Sequence, residues 1–108
     1  MHDKCADIVK ALKHSAIKAG IVRFFKDNPY AMDVLPGLAI WVFQPKDTIA
    51  PEVEELVSLG ILRRYGTEPG AVYSYTKDMG IRVCIEEHWP EIKQATKELR
   101  ASQTEQEG

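Results

Sequence analysis

The stretch Leu56-Val57-Ser58-Leu59-Gly60-Ile61-Leu62-Arg63-Arg64 changes its hydrophobic period in the middle, and the rest of the chain is organised around that change. Up to Leu59 the spacing is helical, with Val53, Leu56 and Val57 supplying one apolar side. Gly60 stands where a left-handed glycine closes a helix, and Ile61 where the next residue packs back onto the last turn. Beyond the glycine the period falls to near two. Ile61 to Tyr65 and Val72 to Thr76 are β-prone runs, separated by Gly66-Thr67-Glu68-Pro69-Gly70, in which Pro69-Gly70 suits the centre of a type II turn. The pattern predicts a helix that hands over to a short hairpin.

Working outward, Asp3 can cap a helix whose apolar side runs Ile8, Val9, Leu12, Ala16, Ile17, Ile21, Phe24 and Phe25. His14-Ser15 and Gly20 leave open whether residues 3–27 form one helix or two. Asp33 suits the N-cap of a helix over about Val34 to Phe43, with Pro36 in its first turn. Thr48 or Ala50 caps a third helix that opens on Pro51. Asp78 caps a last helix carrying Ile81, Ile85, His88, Trp89, Ile92, Ala95 and Leu99, which Pro90 either kinks or divides. This is one domain over residues 1–100, followed by a loose polar tail over 101–108.

A chain of 108 residues, 44% apolar and 28% charged, builds one core. It offers no run of the roughly 20 apolar residues a membrane span needs. Asp3, Lys4, Asp7, Lys10 and Lys13 interrupt any secretory apolar segment, so the expected location is the cytoplasm. Cys5 and Cys84 are too few for a disulfide framework and are expected as buried thiols. Phosphate loops, nucleophile elbows and C-x-x-C or H-E-x-x-H motifs are missing from the sequence, so neither an enzyme nor a cofactor is expected.

The segment L-x-x-L-G-I-L-R-R … Y-x-Y-T, formed by Leu56 to Arg64 and Tyr73 to Thr76, resembles the third helix and wing of bacterial winged helix-turn-helix regulators. These include the multiple-antibiotic-resistance and arsenic-repressor types, and the resemblance covers roughly residues 15–89. It implies a mainly α fold with a small β-hairpin, a three-helix core, and flanking N- and C-terminal helices. In such regulators the third helix enters the major groove and the wing touches the backbone or minor groove. Carried onto this chain, Lys46, Thr48, Arg63, Arg64 and Lys77 are the candidate contacts to double-stranded DNA.

The charges pull the other way. Thr48 to Leu59 carries Glu52, Glu54 and Glu55 and no basic residue, whereas duplex binding relies on Lys and Arg at phosphates. The alternative is a protein-interaction module that docks through those three glutamates, or through what Trp41 and Phe43 expose. Flanking helices often make the dimer in the resembling regulators, so Ile85, Trp89, Ile92 and Leu99 are the candidate surface for a homodimer. Cys84 and His88, four apart on a helix, could join His2 and Cys5 as metal ligands. Packing beneath the hairpin is the favoured reading for Cys84 and His88, and no metal is expected.

Overall fold

The computed structural model describes residues 3–107, with side chains as far as residue 100. It is mainly helical, with a small three-stranded antiparallel sheet. Two helices make the N-terminal stretch. α1 (Lys4–Lys13) starts at Asp3, whose carboxylate accepts the Ala6 N–H, and α2 (Ala16–Asp27) starts at Ser15, whose hydroxyl accepts the Lys18 N–H. The break at His14-Ser15 is therefore a cap rather than an irregularity within one helix.

Next comes a strand, β1 (Met32–Val34), where the sequence suggests only a helix cap. Asp33 lies within this strand and α3 (Leu35–Val42) opens at Val34, with no side-chain cap. α4 (Lys46–Ser58) starts earlier than expected, at Pro45, which leaves Pro51 inside the helix on a solvent-exposed position. β2 (Leu62–Tyr65) and β3 (Val72–Tyr75) form the expected hairpin, and β1 adds to its far edge, giving the order β1-β3-β2. α5 (Met79–Glu107) runs unbroken through Pro90 and continues past residue 100 into the stretch expected to be loose.

α4 ends as its sequence dictates. The Gly60 N–H reaches the Val57 carbonyl and the Ile61 N–H the Leu56 carbonyl, both at 3.0 Å, with Gly60 at φ +79°. This is the paired bonding of a Schellman ending. α3 closes with the same two-bond pattern: the Phe43 N–H reaches the Ile40 carbonyl and the Gln44 N–H the Ala39 carbonyl. There the left-handed position, at φ 56°, is held by a phenylalanine.

The core draws on every helix. Ile8 and Leu12 of α1, Ile21, Val22 and Phe25 of α2, Leu38 of α3 and Ile49, Val53 and Leu56 of α4 meet Tyr73 of the sheet and Ile85 and Ile92 of α5. α5 packs on α1 and α2, and that contact corrects two sequence expectations. Ile85 and Ile92 are completely buried inside this chain, so these two residues face its own helices and are not open to a second copy. Cys5 and Cys84, 79 positions apart, are brought together across the α1–α5 contact and joined as a disulfide rather than left as thiols. No helix among the described residues is long and apolar enough to cross a membrane.

Candidate functional site

α4 and the hairpin that follows it carry most of the polar residues singled out from the sequence. Lys46 and Thr48 are exposed in the first turn of α4; Pro45 before them supplies no side-chain cap, and the Thr48 N–H bonds the Pro45 carbonyl at 3.0 Å. Asp47 shares that turn. The three glutamates further along are not an unpaired acidic face. Lys18 of α2, with its side chain only 8% exposed, places its ammonium 2.8 Å from Glu52 and 2.6 Å from Glu55. Ser15 donates a further hydrogen bond to Glu52, and Glu54 pairs with Arg64 at 2.6 Å.

These contacts set the protonation of the α2–α4 seam. Burial favours a neutral carboxyl at Glu52, yet the hydrogen bonds from Lys18 and Ser15 outweigh it and hold Glu52 below the ordinary glutamate value. Burial likewise favours neutral Lys18, and the two carboxylates overcome it and hold the ammonium charged to higher pH than usual. The acidity of α4 is thus largely answered within the molecule. Sequence reasoning missed Lys18 because it stands 34 residues from Glu52, on another helix.

The candidate cations divide. Successive residues of a strand point to opposite faces, and the register pairs Arg64 with Tyr73 and Arg63 with Ser74. Arg64 lies on the core-side face and is held by Glu54, whose contact keeps its guanidinium charged even more firmly. Arg63 lies on the outer face, over the Tyr65 ring at 5.5 Å. Lys77 is exposed just beyond β3. Among the described residues, Lys46, Arg63 and Lys77 hold no ion pair.

A second feature lies at the far end of α3. Phe43 is 90% exposed, Ile40 74% and Trp41 60%, an apolar surface that periodicity alone does not reveal. Beside it a groove of about 780 Å³ has a mixed wall, with Ile17, Phe24, Trp41 and Leu99 among its apolar residues and Arg23 and Asp27 among its charged ones. Phe24 lies against the Trp41 ring, with centroids 4.9 Å apart. Of the residues expected to dimerise, Leu99 is half-buried in this wall, and Trp89 is half-buried elsewhere on α5 beneath the Lys26 ammonium.

Three side chains of metal-binding type also meet, since the ligand atoms of Cys5, Cys84 and His88 lie within 4.8 Å of one another. His2, named with them from the sequence, lies outside the described residues. No family model, curated protein or solved structure matches the chain.

Proposed function

We propose that the chain is a small winged-helix regulatory protein that binds double-stranded DNA in the cytoplasm. The observation that carries this reading is topological. A helical core leads through β1 and α3 to α4, α4 passes directly into the β2–β3 hairpin, and β1 closes the sheet in the order β1-β3-β2. In this reading α4 is the helix for the major groove and the β2–β3 turn is the wing, an assignment by fold analogy. The chemistry is supplied by Lys46 and Thr48, exposed in an opening turn of α4 that has no side-chain cap, and by Arg63 and Lys77. Lys18 and Arg64 reduce the repulsion that Glu52, Glu54 and Glu55 would otherwise exert.

Fluorescence anisotropy with random duplex over a salt series tests it. Binding should appear at low salt and weaken steeply as salt rises. Lys46→Ala and Arg63→Ala should each lower the salt slope by about one. Arg64→Ala should change it less, because Arg64 is engaged with Glu54. Absence of binding at the lowest salt would refute the reading.

A second reading, a protein-interaction module, is favoured by the exposure of Ile40, Trp41 and Phe43. Contiguous apolar surface of this kind marks contact sites. The left-handed Phe43 adds to the case, since a bulky residue held in that conformation is a strain that function can explain. In this reading the occupant is a second copy of this chain. Light scattering should report a dimer that Phe43→Ser dissociates. An unchanged mass would remove this surface from the assembly.

A further inference from the structure

We propose that Cys5, Cys84 and His88 form a redox-gated site for a divalent cation of the zinc class, closed while the two sulfurs are joined and able to take the metal once a thiol reductant has opened the bond. The site is independent of the DNA reading. Its ligand set is that of a borderline-soft ion, two thiolates and one imidazole, with a fourth position left to water.

The placement follows from the packing of two helices. Cys84 and His88 stand four apart on α5 and so share one face, and Cys5 comes from α1, which packs along that face. The three ligand atoms already lie within 4.8 Å of one another. Tetrahedral zinc, with Zn–S about 2.3 Å and Zn–N about 2.0 Å, asks for separations of roughly 3.5–3.8 Å. Rotation of the released cysteine side chains covers that adjustment. Cys84 is buried, while Cys5 and His88 are half-buried, which leaves the site a route to solvent.

A second observation points to the same ligand chemistry. Nδ1 of His88 lies 2.6 Å from Glu91 Oε1, and an ionised carboxylate can only accept, so the ring donates from Nδ1. In the neutral ring Nε2 then carries the lone pair, the form in which an imidazole binds a metal. Glu91 is itself fixed by Lys13 of α1, at 3.3 Å from its other oxygen. A carboxylate that orients the ring of a metal-binding histidine is the common supporting arrangement of zinc sites. Here the ligands and their support both come from α1 and α5.

The chemistry balances as two steps. Two equivalents of a low-molecular-weight thiol, or one dithiol, give two electrons to the Cys5–Cys84 bond, yielding two protein thiols and one disulfide of the reductant. Metal binding then releases the two thiol protons as Cys5 and Cys84 ligate as thiolates.

The test uses the full chain, reduced with a dithiol, freed of reductant under anaerobic conditions, and titrated with Co²⁺ alone. Reduced protein should take one equivalent with thiolate-to-metal charge-transfer and four-coordinate ligand-field bands, and Zn²⁺ should displace it. Oxidised protein should show neither band. Cys84→Ser should abolish the charge-transfer signature, and His88→Ala should weaken binding while His14→Ala leaves it unchanged. Glu91→Gln should cost about 10–100-fold in affinity. Circular dichroism of each variant keeps misfolding apart from loss of a ligand, and zinc protection of Cys5 and Cys84 against alkylation in the wild-type chain gives a readout free of substitutions. Reduced protein that binds no better than oxidised protein, or binding indifferent to His88→Ala, would overturn the assignment.

Discussion

Replacing Gly60 by alanine probes the handover from α4 to the hairpin at a single atom. The residue sits at φ +79°, where an L side chain costs about 1–2 kcal/mol. Added sterics are small. A Cβ at Gly60 would stand 3.0 Å from the Lys4 ammonium, the end of a flexible exposed chain, and 3.5 Å from Ile81 Cδ1, an ordinary contact. The expected loss is therefore the conformational term, about 1–2 kcal/mol, and at about 4–8 °C per kcal/mol for a domain near this size the midpoint should fall by roughly 4–16 °C. Thermal unfolding followed by circular dichroism, on oxidised protein so that the Cys5–Cys84 link is constant, measures it. Gly60→Asn should lose less, because asparagine tolerates the left-handed region better. If Gly60→Ala melted with the wild type, the chain could not be held in the ending described here.

Five further outcomes are expected. Phe43→Gly, at the equivalent position of α3, should act in the opposite direction, raising stability by about 0.5–1 kcal/mol once the entropy cost of glycine is set against relief of strain, while weakening self-association. Tyr75→Phe should leave stability unchanged or raise it by up to about 1 kcal/mol in chemical denaturation, because the buried Tyr75 hydroxyl has no hydrogen-bond partner among the described residues. Lys18→Met should cost about 2–3 kcal/mol, most of it from stranding the largely buried Glu52 carboxylate, and adding Glu52→Gln should recover part of that loss. The stability contributed by Glu52 should be full above about pH 4.5 and decline as pH falls through its lowered folded value. At the alkaline end, burial pushes Tyr73 and Tyr75 up to about 12, so the stability they confer should be full below pH 10 and lost as pH rises towards 12. A tyrosinate absorbance titration run beside the unfolding curve checks this, and ionisation of all four tyrosines together near pH 10 would contradict it.

What could be read from the sequence was what neighbouring residues decide. Leu59-Gly60-Ile61 specifies its helix ending within a few positions, and the alternation from Ile61 onward specifies strand, so both appear in the structure. His14-Ser15 and Gly20 left both one helix and two open, and the choice was made by folding α1 back along α2 and α5. β1 was illegible because three residues have too little period of their own, and Met32–Val34 becomes a strand only by pairing with β3. Ile85 and Ile92 illustrate the opposite limit. Their stripe was plain, but periodicity names an apolar face and not what covers it, and α1 and α2 of the same chain cover it here.

The candidate site was less legible than the fold for the same reason. The charge of α4 reads as unrelieved acid until Lys18 is brought in from α2 and Arg64 from β2. Arg63 and Arg64, adjacent in the chain, read as one basic pair until the sheet register turns them to opposite faces. The link between Cys5 and Cys84 spans 79 positions, a separation over which no local pattern informs.

Amide chemical-shift mapping with a short duplex at low salt bears most directly on the proposed function. Binding as described should perturb the opening turn of α4, at Lys46 to Thr48, together with Arg63 and the residues of the β2–β3 turn, and leave Ile40 to Phe43 unmoved in a constant oligomer. Perturbation confined to Ile40, Trp41 and Phe43, or a spectrum indifferent to saturating duplex, would contradict it.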